Sequence, residues 1–357
     1  MATHIAAIFP AKGGSFELQT RPTPKPGPGE LLVEVKSVAL NPADVLVRDQ
    51  GVLVSNYPTV VGFDIAGLVV EIGEDVPAEI FHPGITRVAA YSAFFWHSCH
   101  PDYGAFQEKC LVPWQHAVSL PNNNDNISWN EAATLPVSVA VPLNAWDIMG
   151  VPSRTGGEKG PEEVLLVWGA SSSVGSMGVQ SARVLRDRPS SPFAAVYAVA
   201  GAANHAYVSW LGADRVFDYK DRQVVENIVA AAREDGLVVR HCFLAIGQLA
   251  LAQAVLGEFV GEGNKAMIAS APVIPPDVEV VSGVETVFVM PSFDEKERLA
   301  QFHSWMGLWL RENLGKGIVK PSPEVKVVGK GLGAINAALD FLRGGVSCCK
   351  LVVEVAE

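Results

Sequence analysis

The pattern of hydrophobic positions changes about two fifths of the way along the chain. Between residues 1 and 140, short apolar runs such as Leu31–Val35 and Gly67–Ile72 are separated by turns rich in Pro and Gly, which is typical of β-strands. The stretch Arg21–Gly29 has proline at every second position and cannot be helical. This part of the chain is therefore predicted to be mostly β-structure.

From about residue 160, extended segments alternate with helical ones. The extended segments are residues 164–167, 195–200, 215–219, 239–244, 265–271 and 284–290. Helical patterns lie between several of them, at residues 174–185, 203–211 and 224–233. Such alternation is typical of a doubly wound parallel sheet, so six parallel strands are expected.

The last part of the chain predicts one long helix and a return to β-structure. Glu295–Leu314 places apolar side chains at helical spacing, and its aromatic residues are predicted to be core rather than a ligand site. The pattern then predicts a strand at 325–328, a helix at 332–342 and a final strand at 350–355. That final strand can rejoin the first domain.

Composition narrows the classes of function. The 357 residues are enough for about two domains, and 49% hydrophobic with 18% charged residues indicates a folded protein. The formal net charge of −11, with no cluster of Lys or Arg, argues against nucleic acid as a partner. The uncharged run Val164–Ala182 is long enough to cross a bilayer, but its Gly and Ser content favours a buried strand, turn and helix.

The N-terminus and the cysteines bear on location. No basic region followed by a long apolar core is visible, so no secretory signal is expected. Five cysteines without a C-x-x-C pair are typical of reduced thiols. A cytoplasmic protein that crosses no membrane is therefore expected.

The strongest chemical signal is a Gly- and Ser-rich turn between a predicted strand and a predicted helix. It runs from Gly169 to Gly178 with the spacing G-x-x-x-x-x-G-x-x-G. Small residues let backbone N–H groups approach a pyrophosphate, and the helix N-terminus adds a partial positive charge. The turn therefore predicts a dinucleotide site.

The residues after the second strand of this unit favour NADPH over NADH. An NAD site usually has an acidic residue there to hold the ribose hydroxyls, whereas Ala200–Asn204 contains none. The candidates near a 2′-phosphate are Asn204, His205, Tyr219 and Lys220. None of them is the Arg that typically binds this phosphate.

Seven motifs spread over nearly the whole chain occur together. They are Leu40-Asn-Pro-Ala-Asp44, Val61-Gly-Phe-Asp-Ile-Ala-Gly67, Gly104-Ala-Phe-Gln-Glu108, Ala132-Ala-Thr-Leu-Pro136, Val167-Trp-Gly-Ala-Ser-Ser-Ser-Val-Gly175, Leu211-Gly-Ala-Asp214 and Gly329-Lys-Gly-Leu332. In combination they resemble the medium-chain dehydrogenase/reductase superfamily, and above all its zinc-independent fungal branch, which contains trans-acting enoyl reductases of polyketide pathways. The resemblance implies an α/β protein with a GroES-like β-rich domain, a Rossmann domain, and a cleft between them where a nicotinamide hydride meets an activated alkene.

The same resemblance implies domain boundaries and a cofactor site. Residues 1–140 and 315–357 are expected to form the GroES-like catalytic domain, and residues 141–314 the Rossmann nucleotide-binding domain. The residues expected at NADPH are Gly169, Ser171, Ser172, Ser173, Val174, Gly175, Asn204, Tyr219, Ile246 and Phe288.

No zinc is expected. Zinc-dependent relatives hold a catalytic metal with a Cys, a Gly-His-Glu stretch and a further ligand, whereas the corresponding positions here are Asn41 and Gly62–Asp64. One carboxylate cannot retain a catalytic zinc ion. His97, Cys99 and His100 are spaced too irregularly for a structural zinc site.

Two positions depart from the relatives where polar groups would line the site. Fungal enoyl reductases of this type usually carry a Lys two residues after the Asp of the N-P-x-D motif, and this chain has Leu46. A Thr commonly lines the nicotinamide pocket, and the equivalent position is Val141. The catalytic candidates are Asn41 and Ser138, and the Ser138 hydroxyl could equally cap a helix.

Other polar residues stay open as proton donors or as structural groups. They are Tyr57, Asp64, Tyr91 and His97. Arg48 has too high a pKa to be a good general acid, and we expect it to contact a carboxylate, a phosphate or solvent.

The resemblance implies an NADPH-dependent reductase of an activated C=C bond, either an enone or an α,β-unsaturated thioester, in fungal secondary metabolism. Because Leu46 and Val141 remove two polar positions, two alternatives stay open. One is a non-redox step such as dehydration, cyclisation or isomerisation, and the other is an NADPH-binding accessory subunit. The expected partners are a small-molecule or carrier-bound acyl substrate and a polyketide synthase, with the chain a monomer or a homodimer.

Overall fold

The computed structural model describes residues 2–121, 127–153, 162–261 and 265–355. The chain forms two compact units: Met1–Val137 with Ser292–Glu357, here called unit 1, and Ser138–Pro291, here called unit 2. The segment from Ser292 onward therefore has its contacts in unit 1. The domain boundaries of 1–140, 141–314 and 315–357 stay a prediction.

The elements of the described residues are numbered in chain order. The strands are β1 Thr3–Ile8, β2 Glu17–Pro22, β3 Glu30–Ala39, β4 Asp64–Ile72, β5 Arg87–Tyr91, β6 Lys109–Pro113, β7 Ala117–Ser119, β8 Glu163–Trp168, β9 Phe193–Ala200, β10 Arg215–Asp218, β11 Val238–Leu244, β12 Ala266–Ser270, β13 Val284–Phe288, β14 Glu324–Lys330 and β15 Cys349–Glu354. The helices are α1 Pro42–Gln50, α2 Trp129–Ala133, α3 Leu135–Ile148, α4 Ser173–Arg186, α5 His205–Leu211, α6 Val224–Glu234, α7 Leu249–Gly257, α8 Glu295–Phe302, α9 Arg311–Gly315 and α10 Ile335–Arg343.

Unit 2 contains the parallel sheet that the sequence predicts. Its strand order is β10-β9-β8-β11-β12-β13, and every neighbouring pair is parallel. The uncharged run Val164–Ala182 forms most of β8, a turn and much of α4, as expected. β8 is buried along its whole length, which explains why its sequence is continuously apolar. No helix in the described part of the chain is long and apolar enough to span a bilayer.

Unit 1 is built on a mixed sheet that joins both ends of the chain. The strand order is β14-β15-β3-β4-β5-β7, and β6 also pairs with β3. β15 runs antiparallel to β3, so the C-terminal strand rejoins the first domain as predicted. β1 and β2 form a separate antiparallel pair. The expectation of an α/β fold with a β-rich part and a doubly wound part is confirmed.

The predicted helix at 295–314 is present, but it changes its winding. α8 continues through a π-helical stretch, His303–Leu310, into α9. Phe302, Met306 and Leu310 are fully buried, so the aromatic and apolar side chains are core as expected. The imidazole of His116 stacks on the Phe302 ring with centroids 3.9 Å apart.

Arg48 connects the N-terminal helix α1 to the C-terminal helix α10 within unit 1. Its Nε donates to Asp49 Oδ1 at 2.9 Å, its Nη2 to Asp340 Oδ1 at 2.9 Å, and its Nη1 to the carbonyl of Asn336 at 3.1 Å. The side chain is buried. Arg48 therefore contacts carboxylates, as its sequence position led us to expect.

Replacing Arg48 by Met should lower the free energy of unfolding by about 1–3 kcal/mol, because hydrogen bonds from a buried charged group are lost. Urea unfolding measures the change. Arg343→Met is the matched control, since Arg343 contacts the same two carboxylates, Asp49 and Asp340, but is 54% exposed. Its loss should cost less than about 1 kcal/mol. Equal losses in the two variants would contradict a special role for the buried side chain.

Candidate active site

The Gly- and Ser-rich turn after β8 has a shape that only glycine permits at two positions. Gly169 has φ +81°, and a Cβ there would lie 2.5 Å from the carbonyl oxygen of Ile246. A Cβ on Gly175 would lie 2.1 Å from the carbonyl oxygen of Gly169. Ser172 caps α4, since its Oγ accepts from the Gly175 N–H at 3.1 Å and donates to the Gly169 carbonyl at 2.7 Å. The turn therefore leaves the N-terminus of α4 open to an anion.

The predicted cofactor residues lie at one edge of the parallel sheet. Gly169 to Gly175 follow β8, Asn204 follows β9, Tyr219 follows β10, Ile246 follows β11, and Phe288 ends β13. The carboxyl ends of parallel strands meet at one edge, and dinucleotides bind where the strand order reverses. That reversal falls between β8 and β11. The residues of unit 2 thus fit a nicotinamide dinucleotide.

The region expected to hold a 2′-phosphate is open to solvent. Tyr219 is 52% exposed, and a Cβ on Gly201 would lie 3.3 Å from its ring. The Lys220 ammonium lies 5.7 Å from the centroid of the same ring. Asn204 Nδ2 donates to Ser171 Oγ at 3.2 Å, which links the end of β9 to the glycine turn. The His205 imidazole lies 3.1 Å from the carbonyl of Ala200.

Ser138, one of the two catalytic candidates, contacts the start of α4. Its Oγ lies 2.5 Å from Ser173 Oγ, and the side chain is fully buried. Val141 lies on the same helix, α3, and is partly buried. The Ser138 hydroxyl therefore contacts the helix that carries the glycine turn.

Asn41, the other candidate, belongs to a buried polar cluster in unit 1. Its Nδ2 donates to Asp64 Oδ2 at 2.9 Å, and its Oδ1 accepts from Lys350 Nζ at 2.5 Å. Lys350 Nζ also lies 3.0 Å from Asp64 Oδ2, and the Val137 N–H donates to Asp64 Oδ1 at 2.8 Å. Asp64 is fully buried, and Lys350 is 3% exposed. Asn41 is thus held by both of its side-chain polar atoms.

Asp44 completes this cluster on the first turn of α1. Its Oδ2 accepts from the backbone N–H of Asn41 at 2.7 Å, while its buried Oδ1 has no hydrogen-bond partner among the described residues. Burial, together with the nearby charge of Asp64, raises the pKa of Asp44 to about 7. Because Asp44 Oδ1 is buried and accepts no hydrogen bond, the protonated, uncharged carboxyl is the form that this environment favours.

The sequence analysis did not single out Lys350. Its signal is a lysine near the start of strand β15, followed directly by the apolar residues Leu351, Val352 and Val353. A lysine in such a strand is either an exposed edge residue or a buried partner of an acid. Only the packing of β15 against β3 selects the second case.

The side chains at the positions that correspond to the zinc ligands, Asn41 and Asp64, do not fit a metal ion. The oxygens of Asn41 and Asp64 bind the Lys350 ammonium, and Phe63 stands at the position that corresponds to the His of the Gly-His-Glu stretch. No group of three His, Cys, Asp or Glu side chains suited to a metal occurs in the part of the chain that the structure describes. The His97 ring stacks on Tyr103 with centroids 3.8 Å apart, and Cys99 Sγ lies 3.3 Å from the Ser55 nitrogen.

Aromatic side chains surround one side of the Asp64 cluster. Tyr91 pairs directly with Asp64 across β4 and β5. Its ring contacts Phe63, Trp96 and Phe302, with centroids 6.0, 5.8 and 5.1 Å away. Leu46, at the position of the expected lysine, is 38% exposed and brings no polar group.

Comparisons with known proteins agree on the type of protein. The protein-family model of the alcohol dehydrogenase GroES-like domain matches residues 27–122 of the chain. The trans-enoyl reductase tndF of Aspergillus flavipes is 40% identical over 355 residues, covering 99% of both chains. The trans-enoyl reductase tazE of Aspergillus terreus is 40% identical over 301 residues, covering 83% of this chain and 95% of its own.

Among solved structures, an alcohol dehydrogenase superfamily protein from Novosphingobium aromaticivorans has a similar fold. The TM-score is 0.76 at 21% identity, and the match covers 99% of this chain and 100% of the other. At this level of identity the likeness concerns the fold alone.

Lys350→Met should lower the free energy of unfolding by about 3–5 kcal/mol, because Asp64 stays buried without its cation. Urea unfolding measures the loss, and the double variant Lys350→Met, Asp64→Asn should recover part of it. Lys330→Met is the control, since Lys330 pairs with Glu354 but is 75% exposed, and it should cost less than about 1 kcal/mol. A double variant as unstable as the sum of the single variants would contradict the coupling.

The raised pKa of Asp44 predicts a loss of stability with rising pH. Because the pKa rises from 3.8 to about 7 on folding, the folded chain binds more protons than the unfolded chain in this interval. The free energy of unfolding should therefore fall between about pH 4 and pH 7, by up to about 4 kcal/mol. In urea unfolding, Asp44→Asn should flatten this pH dependence of the free energy of unfolding. The control Asp277→Asn, at an exposed position, should leave it unchanged. Identical profiles for wild type and Asp44→Asn would contradict the prediction.

Proposed function

The chain belongs to the medium-chain dehydrogenase/reductase superfamily, in the branch of the fungal trans-enoyl reductases, and on that premise we propose that it reduces an activated C=C bond with NADPH. The observation that carries the proposal is the glycine turn of unit 2, whose shape excludes a side chain at Gly169 and at Gly175. Such a turn at the start of a helix binds a pyrophosphate. The chain is therefore an oxidoreductase of the enoyl reductase type.

The preference for NADPH is supported by the groups around the end of β9. No acidic side chain occurs in Gly201–Asn204, whereas the Tyr219 ring lies beside Gly201 and the Lys220 ammonium lies 5.7 Å from the centroid of that ring. A lysine and a phenol favour a 2′-phosphate over a ribose hydroxyl, because the phosphate brings a negative charge and several acceptor oxygens. Asn204 and Ser171 hold this corner to the glycine turn.

A bound reduced nicotinamide supplies a hydride for the β-carbon of the alkene. The residues of this chain bind the cofactor and hold the reacting groups. Ser172 fixes the glycine turn through the Gly169 carbonyl and the Gly175 N–H. Ser138 contacts Ser173 at the first turn of α4, which supports a positioning role for this hydroxyl.

Asn41 also has the contacts of a positioning residue. Both of its side-chain polar atoms are bound, one to Asp64 and one to Lys350. Because Asn41 precedes α1, these bonds hold the start of that helix in place.

The substrate we propose is an enone or an α,β-unsaturated acyl thioester, carried as a small molecule or on the carrier domain of a polyketide synthase. The named activity of the two Aspergillus relatives supports this class. We further propose that the chain acts in the cytoplasm, beside such a synthase.

The test is reduction of a trans-2-enoyl thioester of N-acetylcysteamine, with NADPH and with NADH, followed by absorbance and by mass spectrometry of the product. We expect NADPH to be consumed and the thioester to gain two hydrogens. Binding of NADPH without oxidation on any enone or thioester would contradict the reductase and favour a non-redox step. Lys220→Ala should raise the Kd for NADPH by about 10-fold and leave that for NADH unchanged, since it removes one charged contact.

Lys265→Ala is the matched control for the cofactor test. Lys265 precedes β12 and lies at the opposite edge of the parallel sheet from the glycine turn. Its loss should leave the affinities for both cofactors unchanged. An equal weakening of NADPH and NADH binding in Lys220→Ala would contradict a 2′-phosphate contact.

A further inference from the structure

Unit 1 contains a cavity of about 400 Å³ whose lining includes none of the residues discussed for the reductase. Its walls come from the turn before β5, the start of β5, the end of β7 and both ends of α9. All of the described lining residues belong to unit 1. Small-molecule sites usually have volumes of about 300–1,000 Å³, so this cavity is large enough for a ligand.

Two arginines line the cavity, and neither has a carboxylate partner among the described residues. They are Arg87, the first residue of β5, and Arg311, the first residue of α9. Elsewhere in unit 1 an arginine can be paired, since Arg21 Nη2 lies 2.8 Å from Asp102 Oδ1. In a chain with a formal net charge of −11, two such arginines at one cavity indicate an anionic ligand.

Arg87 is held in place by contacts that do not neutralise its charge. Its Nη2 donates to the Ile127 carbonyl at 2.5 Å, and its guanidinium carbon lies 4.2 Å from the centroid of the Trp129 ring. Burial lowers the pKa of Arg87, and no carboxylate among the described residues opposes this shift. An anion beside the guanidinium supplies the counter-charge that the described part of the chain does not.

Arg311 is exposed and makes no hydrogen bond or ion pair with the described residues. The acid next to it in the sequence, Glu312, is paired with Lys316 at 2.6 Å. The guanidinium of Arg311 therefore keeps its planar set of N–H donors for a ligand.

The other polar residues of the lining add two donors, one acid and a fixed turn. The Ser119 hydroxyl and the His82 ring have no hydrogen-bond partner among the described residues. Thr86 holds the turn, since its Oγ1 accepts from the His82 N–H at 2.8 Å. Glu79 also lines the cavity and is exposed. The positive charges of the two arginines therefore exceed the negative charge of the lining.

The cavity also has an apolar wall, formed by Ile80, Ile85, Leu120 and Pro121. Ile85 is 67% exposed. Covering such a side chain with an alkyl group is favourable, because apolar surface is removed from water. A ligand with a hydrocarbon chain attached to its anionic group therefore suits this cavity better than a bare inorganic anion.

We propose that this cavity binds a phosphate monoester with a short alkyl chain, with Arg87 and Arg311 on the phosphate and the apolar wall on the chain. A phosphate monoester carries about −1.5 to −2 charges at pH 7 and three acceptor oxygens, which suits two arginines better than a single carboxylate charge. The inference goes beyond the proposed reductase function and does not rest on it. The cavity shares no residue with the glycine turn of unit 2.

The first experiment compares four probes, which are butyl phosphate, methyl phosphate, butyrate and butanol. Saturation-transfer proton NMR of the methyl signal measures each Kd, with NADP⁺ at saturation so that the glycine turn is filled. We expect butyl phosphate to bind at least about 10-fold more tightly than butyrate, because the phosphate makes more charge-assisted hydrogen bonds. Methyl phosphate should bind more weakly because its chain is shorter, and butanol should not bind.

Two results of this comparison overturn the ligand class. Butyrate that binds as tightly as butyl phosphate excludes a preference for the phosphate. Methyl phosphate that binds as tightly as butyl phosphate excludes a contact between the chain and the apolar wall.

The second experiment measures the Kd for butyl phosphate in arginine variants. Arg311→Met should raise this Kd by about 10-fold, because one charge-assisted contact is lost. Its Tm without ligand should stay that of wild type, since Arg311 is exposed and has no partner among the described residues. Arg87→Lys should raise the Kd by about 3-fold, because lysine keeps the charge and loses the planar fork.

Arg233→Met is the matched control. Arg233 lies on α6 in unit 2 and is 59% exposed, so this variant removes the same charge from a different surface. Its Kd for butyl phosphate should equal that of wild type. An unchanged Kd in Arg311→Met, or an equal rise in Arg311→Met and Arg233→Met, overturns the proposed site. A failure of wild type to reduce any activated alkene contradicts the proposed function and leaves these expectations unchanged.

Discussion

Lys350 and Asp64 place two opposite charges in the interior of unit 1, and much of that unit is arranged to satisfy them. Removing both charges from water is costly, and their attraction compensates only when the remaining hydrogen-bonding positions are filled. Asn41 and the Val137 backbone supply three such hydrogen bonds. Lys350 reaches the pair only because the C-terminal strand β15 pairs with β3. The ion pair therefore ties β15 to β4, and the bond from Lys350 to Asn41 ties β15 to the start of α1, which is one reason both chain ends form a single unit.

Unit 2 depends on a different constraint, which is the close approach of backbone atoms of neighbouring segments at the glycine turn. A side chain at Gly175 would collide with the Gly169 carbonyl, and one at Gly178 would lie 2.8 Å from the Phe243 ring. The first contact shapes the turn around the N-terminus of α4, and the second lets α4 lie close on the sheet. The same small residues thus serve packing and anion binding, and Ser172 adds the hydrogen bonds that keep the turn in this shape.

The polar cluster of unit 1 combines a buried ion pair with apolar and aromatic neighbours. The charges of Lys350 and Asp64 pair with each other in the interior of unit 1, and Asn41 binds both side chains. Leu46, 38% exposed, adds a partly exposed apolar side chain to unit 1. Tyr91, whose ring contacts Phe63, Trp96 and Phe302, lies opposite Asp64 on the neighbouring strand.

Local sequence determined the elements and the cofactor turn. Alternating strands and helices predicted the six parallel strands, and the spacing from Gly169 to Gly178 predicted the turn, because both depend on periodicity and on residues adjacent in the chain. The sequence left a carboxylate, a phosphate or solvent open as the partner of Arg48, and only the structure selected the carboxylate of Asp340 on α10. Only the tertiary structure brought Lys350 to Asp64, and only strand register set Tyr91 opposite Asp64. These pairings join residues far apart in the chain, and whether a lone lysine in an apolar strand is buried or exposed depends on which strand packs beside it.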